Sequence, residues 1–417
     1  MQNKWISTTL GIACNLSTGK TPSKKKISSF GGDIPFVKPG DLDKGIFVTQ
    51  TEETLTQQGL EEAPALPKDT VLVSCIGNLG KKAILNCLGS CNQQINAILP
   101  SPYVDPKFIY YYIDIIRPWM IRNASATTVT ILNKGKFSEA PLVLPPLAEQ
   151  KRIVKKIEEL FGVIDEQVKR LEATHTALVS YRQSILQQAF SGKLHKTTDW
   201  KKITLQEAVD INPKTVLPAL SDSEMVSFLP MPAVQEESLE YAEQKSSFGK
   251  VKKGYTKFRD EDVLFAKITP CMENGKGCIV HNLSHGIGFG STEFHVLRCH
   301  KDVSPKFIYY FVIRRTFRAE AKNKMSGAVG QQRVPAEFLK EYSFACPSLP
   351  EQKAIVKKIE NAFAFADKAQ ATITGTLEQA KQLKQSILKR AFEGKLVLQD
   401  PNDKPVDLTQ IKKDKHK

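Results

Sequence analysis

The chain has 417 residues, 41% of them hydrophobic, enough to bury two ordinary cores, and a formal net charge of +15. That excess of base favours a polyanionic partner, nucleic acid before a membrane surface. No apolar run, including the one from Phe108 to Ile116, is long enough to span a bilayer, and no signal peptide precedes Trp5. A cytoplasmic protein is expected, with its eight cysteines, none in a CxxC pair, as free and mostly buried thiols.

Residues 1–145 read as a globular segment of mixed pattern. Asp69 to Ser74 reads as a turn followed by a buried strand, and Gly77 to Lys82 as a glycine-containing hairpin or loop. Phe108 to Ile113 reads as a short amphipathic helix.

Residues 146–194 form a different kind of stretch. Ile153, Ile157, Leu160, Ile164, Val168, Leu171, Leu178 and Ile185 recur at three-four spacing, with one stutter at Val168. This is the seam of a coiled coil, and it predicts one long helix of about 65 Å. Gly192, followed by Lys193, is a stop signal.

Residues 195–346 repeat the first plan with more drift. Trp200 stands for Trp5, Phe228 for Phe36, and Gly275-Lys276 for Gly80-Lys81. The stretch from Asp262 to Lys267 stands for the strand after Asp69, and Pro305 to Tyr310 repeats Pro106 to Tyr111 outright. The loops from Lys20 to Lys26 and from Thr49 to Glu61 have no clear equals. Residues 347–396 then supply a second long helix, with Ile355, Ile359, Ala362, Ala366, Ile373, Leu377, Ala380, Leu383 and Ile387 in its seam. Ser348 with Glu351 forms a capping box there, and Gly394 the stop. The tail, 397–417, is polar and lysine-rich and is expected to be disordered.

The two long helices match at a constant offset of 202 residues. From Glu149 to Phe161, 10 of 13 positions are identical to their counterparts, and from Gln183 to Leu194, 9 of 12. The 21 residues between share only Asp165/Asp367 and Thr174/Thr376. Agreement confined to the ends has a plain reading, that both ends need the same packing. Matched polar residues expected to be exposed point further, to two equivalent docking sites for two copies of one partner. Gln150, Lys151 and Lys155 would form one, Gln352, Lys353 and Lys357 the other.

The order of a globular half, a P-x-L-x-E-Q-K helix, a second half and a second such helix resembles the specificity (S) subunit of type I restriction–modification enzymes. In the first half the likeness rests on Gly19 to Ser23, Gly31 to Leu42, and Asn92-Gln93-Gln94. In the second it rests on Asp262 to Pro270, Glu273 to Lys276, Ser291 to Phe294, and Gln331 to Pro335. The resemblance implies an α/β (α+β) protein with an internal pseudo-two-fold repeat. Two target recognition domains would be separated by two long antiparallel coiled-coil helices. It also implies a complex with double-stranded DNA, two methyltransferase (M) subunits and restriction/translocase (R) subunits, with no cofactor of its own. The second half lacks the Gly31-Gly32-Asp33-Ile34-Pro35 loop, so its reading surface departs from the first there.

Candidate DNA contacts follow from side-chain chemistry. Lys245, Lys250, Lys252, Lys253 and Lys257 cluster around Tyr255 with no acid between the first and the last, as a phosphate-gripping loop would. Lys20, Lys24, Lys25 and Lys26 offer a similar stretch in the first half, and Lys81 and Lys276 sit beside the hairpin glycines. A solvated basic loop explains the same lysines. Base reading needs forked donors and acceptors, which Asn78, Gln331, Gln332 and Arg333 supply; Asn274, beside Gly275, reads better as a turn former.

Signals for catalysis are weak. Gly19-Lys20-Thr21 resembles the end of a phosphate-binding loop, but Cys14 stands where the first glycine is required. Cys271, Cys278, His281 and His285 have only loosely metal-like spacing. A DNA-recognition subunit without catalytic residues is therefore expected. The alternatives are an enzyme in its own right and a non-catalytic coiled-coil adaptor for acidic protein partners.

Overall fold

Asp69 and Glu261 hold positive φ of 68° and 67°, and each turns the chain into a strand whose every residue is buried, Val71–Ser74 and Val263–Ala266. This recurring corner shows the whole plan of the molecule. The computed structural model describes residues 4–23, 25–126, 129–194, 200–328 and 330–415. The chain divides into two units, Met1–Arg170 with Thr376–Lys417, and Leu171–Gly375.

In the first unit, a five-stranded sheet runs in the order Leu16–Thr18, Ile95–Ile98, Val71–Ser74, Lys82–Leu85, Phe47–Val48. A three-stranded sheet joins Glu53–Leu55, Phe30–Val37 and Ser90–Cys91. Ile6–Thr9 pairs antiparallel with Pro141–Leu144. In the second unit the corresponding sheet is Val209–Ile211, Phe294–Cys299, Val263–Ala266, Gly277–Ile279. The other sheet is Gln244–Ser247, Met225–Leu229, Ile287–Gly290, Thr256–Arg259, and Lys201–Thr204 pairs with Ser343–Cys346.

The register confirms the equivalences read from the sequence. Phe36 lies opposite Ser90 in a parallel pair, as Phe228 lies opposite Phe289. Gly80 and Gly275 both take positive φ, 81° and 75°, in the hairpins after the matched strands. Gly31 to Pro35 is not a loop: it belongs to the strand Phe30–Val37, which carries an irregularity between Phe30 and Ile34. The helix at Phe108 is longer than expected, Pro106–Asn123, and passes through Pro118 because Ile113, Ile116 and Met120 are all buried.

The two long helices are Leu147–Phe190 and Leu349–Phe392, 44 residues each. Each unit holds the start of one and the end of the other, packed antiparallel. In the first unit, the start is joined to Trp5, whose Nε1 donates to Glu149 at 3.0 Å, while Trp5 also abuts Gly394 at the end of the second helix. Further along, Asp165 pairs with Lys384, whose ammonium lies 4.9 Å from the Phe161 ring. In the second unit, Lys358 donates to the Leu194 carbonyl at 2.8 Å, Asp367 pairs with Arg182, and that guanidinium lies 5.1 Å from the Phe363 ring. Asp165 and Asp367 are thus matched because each anchors the same three-residue contact.

The ends of the helices match because both units bury them in the same way. Ile153, Val154 and Ile157 pack with Leu388, Ala391 and Phe392 in the first core; Ile355, Val356 and Ile359 pack with Leu186 and Ala189 in the second. Phe392 meets Phe108 and Tyr112 at 5.1 and 5.0 Å, and Phe190 meets Phe307 and Phe311 at 4.9 and 5.5 Å. Both helices end on a glycine with positive φ, 76° at Gly192 and 70° at Gly394, with the next amide bonded five residues back. Leu383 departs from its expected seam position: it is 51% exposed, and Lys384 reaches the facing helix instead.

The tail is ordered through Lys415. Asp403 pairs with Arg152 at 2.6 Å, Lys4 donates to the carbonyls of Pro401 and Asp403, and Leu408–Lys415 forms a helix. Asp407 caps it by accepting from the amides of Thr409 and Gln410, and Ile411, 2% exposed, joins the first core with Val406.

Candidate nucleic-acid interface

The hairpins after the matched strands are each braced by an arginine. Arg117 donates from Nη2 to Asn78 Oδ1 at 2.9 Å and lies against Gly80, where a Cβ would sit 3.0 Å from its Cγ. Arg318 takes the same place against Gly275 and binds Glu237 and the Glu273 carbonyl. Asn78 is exposed on its hairpin, whereas Asn274 donates to Glu236 at 2.8 Å, in keeping with a turn residue. Lys81 is half-buried, and Lys276 reaches back to the Met231 carbonyl.

Beside the second hairpin, Ser326 and Arg333 exchange backbone hydrogen bonds, and Thr269 donates to the Gln332 carbonyl at 3.0 Å. This loop presents Gln331 to solvent and leaves Gln332 partly buried. Arg333 is occupied: Nε and Nη2 both donate to the Glu293 carboxylate at 2.8 Å, and Nη1 donates to the Gln331 carbonyl. Those hydrogen bonds hold the Glu293 carboxyl below its usual range. A forked base contact expected of Arg333 would have to displace this pair, so the geometry assigns the residue to bracing its own loop.

The lysine cluster of the second unit lies along Gln244–Ser247, the short helix Phe248–Val251, and Thr256–Arg259. Lys245 pairs with Glu243 at 2.6 Å and Lys252 with Asp222 at 2.6 Å. Among the described residues, Lys250, Lys253 and Lys257 have no side-chain partner, and Tyr255 stands 41% exposed with its ring edge-on to Phe228. In the first unit, Lys20 and Lys25 are exposed and, among the described residues, unpaired, while Lys26 is bound to Glu62 at 2.7 Å. Lys24 lies outside the described residues.

Gly19 proves to be a contact glycine rather than part of a phosphate loop. A Cβ on it would meet the Asn92 carbonyl oxygen at 2.0 Å, and its amide donates to Ile95. Thr21 hydrogen-bonds Gln93, so the Gly19 and Asn92 motifs are two sides of one backbone crossing.

The expected docking residues separate into two groups. Gln150 and Gln352 are 0% and 1% exposed and cannot meet a partner. Gln150 accepts from the Asp105 amide at 2.9 Å and donates to the carbonyls of Tyr103 and Pro145; Gln352 makes the same three bonds with Ser304, Asp302 and Pro347. Lys151, Lys155, Lys353 and Lys357 are exposed, and none has a side-chain partner among the described residues.

Of the thiols, Cys14, Cys75, Cys91 and Cys278 are buried, and burial pushes Cys75 and Cys91 up to about 12. His281 faces Glu261 rather than Cys278, and no group of three metal-binding side chains occurs among the described residues.

Fold and surface together define a duplicated scaffold, two copies of one mixed domain, each built around the start of one long helix and the end of the other. Residues 2–173 and 197–379 match the family model for the type I restriction modification DNA specificity domain, and the chain belongs to that family. It is 32% identical to the specificity subunit of the type I restriction enzyme EcoEI of Escherichia coli over 49% of its length, a match that spans only 42% of that relative. To the StySPI specificity subunit of Salmonella potsdam it is 23% identical, over 95% of this chain and 90% of that one. Its fold matches a chain solved in work on complex assembly and conformational transition of the type I R-M system. The TM-score is 0.74 at 18% identity, over 94% of this chain and 98% of the other.

Proposed function

We propose that this chain is the DNA sequence-recognition subunit of a type I restriction–modification complex, itself without catalytic residues and working in the cytoplasm. It reads a bipartite, asymmetric duplex site, one half-site per globular domain. The observation that carries this reading is the pattern of likeness between the units. Framework positions recur in register (Phe36 and Phe228, Asp69 and Glu261, Gly80 and Gly275), while the solvent-facing segments between them differ in sequence and charge. Equivalent frames with different surfaces suit two half-sites of different sequence.

Phosphate contacts fall chiefly to Lys250, Lys253 and Lys257, with a smaller share to Lys20 and Lys25, and base contacts to Asn78 and Gln331, all exposed or half-exposed. The long helices set the run of unread base pairs. Lys151 with Lys155, and Lys353 with Lys357, recruit two methyltransferase subunits, and the restriction subunits join that assembly. Methylation mapping in a host expressing the chain with its methyltransferase subunit tests the reading. A single motif of two unlike half-sites around an unread gap is expected; scattered or absent methylation would overturn it.

A further inference from the structure

The two units carry opposite charge on the same piece of the fold. Glu53 pairs with Phe36 in the first unit, and Gln244 with Phe228 in the second. Leu66 bridges Gly89 one residue before the parallel strand, as Phe258 pairs with Gly288. Leu66 and Phe258 are both buried, 1% and 0% exposed, and the two positive-φ corners follow three residues later at Asp69 and Glu261. Segments 53–67 and 244–259 are therefore equivalent, each a strand, a short helix and a return along the same sheet.

Their composition is not equivalent. Segment 53–67 holds three acids, Glu53, Glu61 and Glu62, and no base; segment 244–259 holds six bases and no acid. In the first unit Glu53 and Glu62 draw in Lys38 and Lys26, which removes Lys26 from the basic stretch before it. In the second unit Lys257 and Arg259 share the outer face of a strand whose Phe258 points into the core. Lys250 and Lys253, in the segment leading to that strand, stand exposed, and no side-chain partner holds any of these four among the described residues.

We propose that the two domains grip DNA unequally, the strip from Lys250 to Arg259 in the second domain clamping the phosphate backbone while its counterpart in the first does not. This rests on the DNA-recognition reading above. The second domain then anchors the protein on any duplex, and the first contributes chiefly selection, its acidic segment holding off phosphates that are not correctly presented.

The test uses the full-length chain on a duplex of arbitrary sequence, with affinity measured from low to high salt. K250Q/K253Q/K257Q should lower the log–log salt slope by about 2.7, at about 0.9 for each phosphate no longer neutralised. K20Q/K25Q in the first domain should change the slope by less than about 0.9, the share of a single phosphate. Equal loss per lysine in the two domains, or a triple variant with the parental slope, would overturn the unequal grip. If the unmodified chain shows no salt-dependent duplex binding, the DNA-recognition reading itself fails, a separate outcome. As a gain-of-function arm, Q58K/E61K places lysines on exposed positions of the first domain's equivalent helix and should raise both affinity and slope. An unchanged slope there would contradict the equivalence.

Discussion

Gln150, at the start of the first long helix, accepts a hydrogen bond from the Asp105 amide at 2.9 Å, and Asp105 is the N-cap of the helix Pro106–Asn123. One amide side chain thus ties the long helix to the globular domain, and Gln352 repeats the bond with Ser304, the N-cap of Pro305–Val312. Matched glutamines are what two identical joints require. Gln150→Ala would strand a buried amide and two carbonyls, at about 1–3 kcal/mol for each group left unsatisfied. A clear fall in Tm is expected, without loss of partner subunits. Lys151→Glu with Lys155→Glu should do the reverse, keeping Tm and removing one methyltransferase subunit per complex in native mass spectrometry.

Arg333 is expected to behave as a structural residue. Arg333→Ala frees Glu293 and the Gln331 carbonyl, so affinity should fall equally on all duplex sequences and Tm should drop. Relaxed preference at one base pair, measured with a randomised duplex library, would return the residue to base reading.

Lys82 and Asp114 form an ion pair at 2.5 Å with Lys82 only 5% exposed, and burial draws the lysine below its usual range despite the carboxylate. The equivalent positions in the second unit are Gly277 and Ile313, both buried and uncharged. Asp114→Ala should therefore cost about 2–3 kcal/mol, somewhat less than a fully buried pair because Asp114 is partly exposed. The double change Lys82→Met with Asp114→Leu should recover most of that loss. Chemical denaturation of the three proteins decides it; equal losses in the single and double variants would contradict the argument.

Asp403 has its carboxyl held below the usual range by hydrogen bonds from Arg152. A lowered folded-state pKa means that the stabilisation is complete above the ordinary carboxylate value and lost as pH falls through the folded one. The tail helix Leu408–Lys415 should stay docked through mildly acidic pH and loosen only below the normal aspartate range. Asp403→Asn should loosen it at neutral pH, read as faster amide exchange confined to residues 400–415.

Much of the fold was legible because it is written twice. The strand after Asp69, the glycine hairpins, the helix stops at Gly192 and Gly394 and the equivalence of Phe36 and Phe228 all follow from aligning one half with the other. What escaped lay where polarity and exposure part company. Gln150 looks like a surface residue to any pattern of apolar spacing, because its burial depends on carbonyls of Tyr103 and Pro145 that no periodicity reveals. Beyond Leu398 the tail offered only Val406, Leu408 and Ile411 as apolar anchors, too few to outweigh its lysines, yet Asp407 and Arg152 supply the cap and the clasp. Leu383 fits heptad spacing but is displaced by Lys384, which finds both a carboxylate and an aromatic face across the pair. Of the site, the lysine cluster was legible from composition, but the occupation of Arg333 by Glu293 required the fold.

The most direct measurement combines methylation mapping with a change in the helices. Deleting Val168 to Thr174 and Gln370 to Thr376, seven residues from each, shortens both helices by about 10 Å and leaves the globular domains untouched. DNA rises about 3.4 Å per base pair, so the unread gap should contract by about three pairs while both half-sites keep their sequence. The accompanying rotation along the duplex should weaken binding as well. Unchanged half-sites around a shorter gap are what the account predicts; full activity with the original gap would contradict it.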